Sequence, residues 1–191
     1  MLGFMRKLSA LLSFVVAPLA FADDLTYSSD MYDSGGVFVG MELGGAGIAD
    51  FSAGIIGGYA YYFTQSYQNI DSFRQGIRGI VGINWGLYKH NRFDMQNGSS
   101  SETSSNSFYT RVGVDWIIDF NPQDTFVWGA FAGLNIGHFK VFTSDSIPLT
   151  HRGFNLEGHI GGSLTYKQIH KLELLFGWGY SRSALRYVYM F

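Results

Sequence analysis

The sequence has no cysteine and only three prolines, and charged residues make up no more than 15% of its 191 positions. Without cysteine there are no disulfides, no thiolate metal sites and no thiol nucleophile, so stability has to come from backbone pairing and packing. Low charge with 47% apolar residues excludes intrinsic disorder, which requires the opposite balance. A surplus of one sign is also missing. The formal net charge is −2 and the basic residues form no stripe, so nucleic acid is not expected as a partner. Beyond the first 22 residues no run approaches the ~18 consecutive apolar residues of a spanning helix. What is abundant is glycine, at 25 residues, and aromatic side chains, at 17%. That glycine share is about twice the usual ~7% and weakens any helical bundle, leaving a β protein rich in aromatics.

Residues 1–22 carry the pattern of a secretory leader. Arg6 and Lys7 form its positive start, Leu8 to Ala17 its apolar stretch, and Ala20-Phe21-Ala22 a small-x-small cleavage site. Cleavage is predicted before Asp23, with a polar segment over 23–34 and one barrel domain over 35–191. Any crossing of a membrane is then left to strands, and only a closed barrel satisfies every backbone group in lipid.

From Gly35 the hydrophobic period is two, as strands require. Val37, Val39, Met41 and Leu43 mark the first strand, and a weaker alternation marks a second over Ala53–Phe63. Ile77, Val81, Ile83, Trp85 and Leu87 give the third, Phe108 to Phe120 the fourth, and Phe126 to Ile136 the fifth, after the turn signal Asn121-Pro122-Gln123-Asp124. Phe154 to Tyr166, Leu172 to Tyr180 and Leu185 to Phe191 complete eight strands. The expected fold is all-β, an eight-stranded antiparallel up-and-down transmembrane β-barrel.

Sidedness separates a membrane barrel from a soluble one. The bulky parity is apolar and the other parity holds mainly Gly, Ser, Asn and a few charges, too little to coat a soluble barrel but suited to a lumen inside a lipid-facing wall. All four tryptophans, Trp85, Trp116, Trp128 and Trp178, fall on the apolar parity and mostly towards strand ends, as an aromatic girdle requires. Loops over about 45–52, 89–106, 138–152 and 181–183 are expected on one side. The polar, Ser-rich 89–106 stretch is a candidate surface for a ligand or host partner as well as plain solvated loop.

The last strand, Leu185-Arg186-Tyr187-Val188-Tyr189-Met190-Phe191, has a terminal Phe with Leu185, Tyr187 and Tyr189 at alternate positions before it. With the leader and the eight strands, the chain resembles the small outer-membrane barrels of the OmpA/OmpX type. The Gly-Gly-Val-Phe-Val-Gly-Met-Glu-Leu-Gly start and the Arg-Tyr-Val-Tyr-Met-Phe end are also similar to the Helicobacter-type outer membrane protein family. The resemblance implies a monomer in the bacterial outer membrane, surrounded by its lipid and inserted by the barrel-assembly machinery through that C-terminal signal.

By parity, the lumen is predicted to hold Glu42, Asp115, Asp119, Glu157 and Glu173 with Arg78, Arg111, His159, Lys167, Lys171 and Arg186. Signs nearly balance, so a paired network that fills the interior is the expected arrangement. A narrow ion path, gated by a pair involving Arg111 or Glu157, is the alternative. A lipid A-modifying enzyme is a third reading, since Glu157, His159 and Ser163 share one strand and parity. His159 and Ser163 stand two same-face steps of ~6.8 Å apart, however, too far to hydrogen-bond. His159-Ile160-Gly161-Gly162-Ser163 also departs from the His-x-Ser pattern of the deacylase family. The expectation is therefore a structural or surface-interacting barrel, not an enzyme. The scattered histidines and the absence of a phosphate loop suggest neither metal nor cofactor.

Overall fold

The computed structural model describes residues 35–63, 73–94, 99–142 and 152–191, with side chains described outside 89–104. The predicted leader and the 23–34 segment lie outside the described residues. The barrel belongs to a compact unit spanning Asp33–Phe191.

Eight strands follow one another without a helix among the described residues: β1 (Gly36–Gly45), β2 (Phe51–Tyr62), β3 (Phe73–Asp94), β4 (Ser99–Phe120), β5 (Phe126–Phe142), β6 (Arg152–Tyr166), β7 (His170–Trp178) and β8 (Ser183–Met190). Each pairs antiparallel with the next, and β8 returns to β1, so the sheet is a closed barrel without edges. The seam pairs Phe38 with Met190, Glu42 with Arg186 and Gly45 with Ser183. Closure answers the requirement that no N–H or C=O be left unpaired in lipid. We call the end at which β1 begins and β8 ends the near rim and the opposite end the far rim.

The alternation read in the sequence becomes sidedness. Val37, Ile55, Val81, Val112, Leu134, Leu156 and Leu174 stand outward, each between 49% and 62% exposed. Outward apolar area on this scale far exceeds what a soluble monomer leaves to water. All four tryptophans are outward. Trp116 and Trp128 sit towards the near rim, whereas Trp85, opposite Phe108, and Trp178, opposite Gly158, sit towards the far rim. The Trp178 ring lies so close over Gly158 that a Cβ there would clash with it.

Several boundaries differ from the sequence reading. β3 and β4 run on to Asp94 and from Ser99, and their register pairs Tyr88 with Ser105 through to Asp94 with Ser99. The predicted loop 89–106 is thus largely a two-stranded ribbon above the far rim. Its sequence is rich in Ser, Asn and charge and carries no apolar parity, so the period-two signal is lost there. Residues 95–98 and 143–151 of the predicted far-side loops lie outside the described residues. The turn at Asn121 is present: Asp124 donates its N–H to the Asn121 carbonyl at 3.0 Å, and Asn121 is left-handed at φ 48°.

Candidate functional site

Inside an eight-stranded barrel there is room for side chains only, and glycines decide where the long ones fit. On the inward face Glu42 stands opposite Gly54, Arg111 opposite Gly82 and Gly137, Asp115 opposite Gly133, and Asp119 opposite Gly129. A Cβ at Gly133 would strike Asp115 Oδ1, and one at Gly129 would press on Asp119 and Ser163. Large polar and vanishing side chains thus alternate around the lumen.

The charged groups form a ladder. Nearest the near rim, Asp119 accepts from Arg74 Nη2 at 2.9 Å and from Lys171 Nζ at 3.1 Å. The Arg74 guanidinium also lies 3.6 Å from the centre of the Tyr62 ring. One step up, Arg78 donates to Asp115 at 2.6 Å and to Glu173 at 2.5 Å, while His159 Nε2 lies 3.0 Å from Asp115 Oδ1. Arg186 reaches Asp115 at 3.8 Å and Glu173 at 3.7 Å. Above that, Glu42 accepts from Arg186 Nε at 2.5 Å, from Arg111 Nη2 at 2.6 Å and from Asn84 Nδ2 at 3.0 Å. Glu157 lies 3.7 Å from Arg111 and accepts from the Tyr180 N–H at 2.6 Å. Glu42, Asp115, Asp119, Arg78, Arg186 and Glu173 are each 1% exposed or less. Charges so deeply buried are tolerable only when paired and hydrogen-bonded, and here every one has an opposite charge within reach.

The ladder is interleaved with apolar side chains the sequence reading left out. Phe38, Ile56, Ile80 and Val188 pack together inside, as do Ala60, Tyr62, Ile117, Phe131, Leu175 and Ala184. Towards the far rim, Tyr109 and Tyr180 stack at 4.5 Å, and the Tyr180 hydroxyl hydrogen-bonds Ser107 at 2.7 Å. The β1–β2 connection folds over them: Ala49 is fully buried and donates its N–H to the Tyr180 carbonyl at 3.0 Å, and Ser52 hydrogen-bonds Ser181 at 2.8 Å.

Of the predicted lumen residues, Glu42, Arg78, Arg111, Asp115, Asp119, Glu157, His159, Lys171, Glu173 and Arg186 share this interior. Lys167 does not: it is a left-handed residue of the β6–β7 turn at φ 46°, exposed, with its ammonium 5.4 Å from the Tyr166 ring centre. Its parity is inward, but the strand ends at Tyr166. Tyr180, assigned by parity to the outer wall, is completely buried in the lumen. β7 stops at Trp178, and Gly179 at φ +126° turns the chain inward. Arg74, Asn84, Tyr109 and Asn135 were missed. Asn84 and Asn135 carry the polar parity and were legible; Arg74 precedes the first clear alternation of β3, and Tyr109 is an aromatic on the polar face.

The imagined Glu157–His159–Ser163 grouping is not assembled, since His159 turns to Asp115 across the lumen. In the last strand, Leu185, Tyr187 and Tyr189 face outward, and Phe191 donates its N–H to the Val37 carbonyl at 2.9 Å across the seam. Tyr187 hydrogen-bonds His170 at 2.7 Å, and the rings of Tyr189 and Phe191 meet at 4.9 Å.

No family model and no curated protein matches the chain, so the Helicobacter-type resemblance rests on the two end motifs alone. Among solved structures the chain is similar to the outer membrane enzyme PagL, at 12% identity and a TM-score of 0.53, over 81% of this chain and 99% of that one. It also matches the β domain of the Bordetella autotransporter BrkA at 10% identity over 83% of this chain and 100% of that one, but the TM-score of 0.31 carries no argument. At such identity the first likeness bears on fold alone: the chain is a barrel of the outer-membrane type. It nevertheless corrects one expectation. A protein that shares this barrel is an outer membrane enzyme, so the expectation of a chain that is not an enzyme is withdrawn.

Proposed function

We propose that this chain is a monomeric bacterial outer-membrane barrel that works at its surfaces, in a structural or partner-binding role, through the lipid around its wall and the β3–β4 ribbon above its far rim. Its lumen is a plug. The observation that carries this reading is the ion-paired ladder from Asp119 to Glu42, closed over by Tyr109 and Tyr180. An ion entering would have to replace internal pairs that already neutralise one another, in a space with no room for its hydration shell. The barrel-assembly machinery would engage β8, whose last residue completes the seam. Single-channel recording of refolded protein in a planar bilayer tests the plug. Silence from protein that keeps its folded, heat-modifiable mobility is expected, whereas steady voltage-independent steps would replace this reading by the narrow pore.

The likeness to PagL favours a second reading, in which the same wall carries a reaction on a membrane lipid. Among the described residues, His138 and Thr110 place an imidazole and an exposed hydroxyl at one outward register position, paired across β5 and β4. Incubation with outer-membrane lipid and mass spectrometry decides it. A change in lipid mass that is lost in His138→Ala supports a reaction at this position; an unchanged lipid removes it.

A further inference from the structure

The outer wall of β4, β5 and β6 is apolar through Val112, Ile136 and Leu156, which lie in register, and changes character over the next two rows. The first row holds Thr110, His138 and Phe154; the second holds Phe108, Lys140 and Arg152. Lys140 and Arg152 are therefore direct cross-strand neighbours on the same face, and both are exposed. Like charges placed so repel each other. In the lumen every cation has a carboxylate partner, yet among the described residues neither Lys140 nor Arg152 makes an ion pair. Among the described residues, the Lys140 ammonium lies 4.9 Å from the Phe142 ring centre.

Height along the barrel explains what such a pair meets. His138 lies ten residues beyond Trp128 on β5, which at ~3.4 Å per residue and a tilt of about 40° is roughly 26 Å. That is the height of the apolar band of an outer-membrane barrel, about 25 Å, so Lys140 and Arg152 stand about 5 Å above its edge, at the level of lipid headgroups. Below and beside them the wall offers Phe154, 81% exposed, Leu156, 62% exposed, and Ile136, 53% exposed. On the other side of the far rim Leu43, Phe51, Trp85 and Trp178 are uncharged, and the β7–β8 connection there carries a single exposed cation, Arg182. The cationic pair is thus local to one side of the wall.

We propose that Lys140 and Arg152 together bind the phosphate of a membrane lipid whose acyl chains lie down the wall over Phe154, Leu156 and Ile136. A phosphate between the two relieves their repulsion and gains charge-assisted hydrogen bonds, with the guanidinium able to bind two oxygens at once. The site rests on the membrane placement proposed above, and the test separates the two: heat-modifiable mobility in detergent reports whether the barrel is folded, independently of lipid binding.

The experiment is native mass spectrometry of the full chain from detergent micelles titrated with dimyristoyl phosphatidic acid, with the diacylglycerol of the same chains and inorganic phosphate as separate arms. Wild-type protein is expected to retain one phosphatidic acid, with an apparent Kd at least ~10-fold tighter than that of the folded Lys140→Gln/Arg152→Gln double variant. The charge-preserving Lys140→Arg and the near-rim Lys167→Gln are expected to bind as wild type does. Equal retention by the double variant, equal loss in Lys167→Gln, or equal retention of the diacylglycerol would overturn the site. Inorganic phosphate displacing the lipid at equal concentration would overturn the lipid as its source.

Discussion

Glu42 accepts from Arg111, Arg186 and Asn84 at once. Its replacement by Ala strands two buried guanidiniums without their nearest anion, and breaking a buried pair in this way costs about 3–5 kcal/mol. Urea unfolding of the protein in vesicles is expected to show that loss in Glu42→Ala. Lys167→Ala, in an exposed turn, is expected to stay within ~0.5 kcal/mol of wild type. The identity of the interior charges was legible in the sequence because inward and outward positions alternate. Their pairing was not, since Arg78 and Asp115 are 37 residues apart and Glu42 and Arg186 are 144 apart. Those separations become contacts only through strand register and closure. Tyr180 shows the other limit, because parity holds only while the strand lasts and Gly179 ends it.

At the scale of elements, the strands differ widely in length. β7 and β8 are 9 and 8 residues long, whereas β3 and β4 are 22 each. β2 leaves β3 at Leu87 and β5 leaves β4 at Asn106, so beyond those points β3 and β4 pair only with each other among the described strands. A two-stranded hairpin of this kind adds little to the stability of the barrel below it. Replacing residues 92–101 by Asn-Gly, after the Asn91–Glu102 pair, leaves a two-residue turn of the preferred type. Folded yield and heat-modifiable mobility are expected to match wild type, while binding of cells or host matrix, if the ribbon carries it, is expected to disappear. A variant that no longer folds would show instead that the ribbon is part of the barrel's nucleus. The wall strands were legible because lipid on one side and lumen on the other impose alternation; the ribbon was not, because its Ser- and Asn-rich sequence carries no apolar parity.

For the whole molecule, the wall, the polar interior and the number of strands followed from composition and period. Depth along the barrel did not. It took the register to show that Trp116 and Trp128 mark one end and Trp85 and Trp178 the other, and that Lys140 and Arg152 share a level. The C-terminal residue makes its own prediction. Phe191 donates across the seam to Val37, so deleting it removes the last rung between β8 and β1 and an aromatic at the near rim. The yield of membrane-inserted, heat-modifiable protein is expected to fall several-fold in the deletion, and to recover with Trp but not Asp at position 191. Equal insertion of all three would discard the assembly role. Beyond that experiment, the seam fixes an order of events. The partner that β1 needs, β8, is made after the other seven strands, so a chain cut short of β8 keeps two open edges however well its middle has paired. Geometry thereby tests each copy: the barrel either closes through β8 or remains a sheet that lipid will not accept.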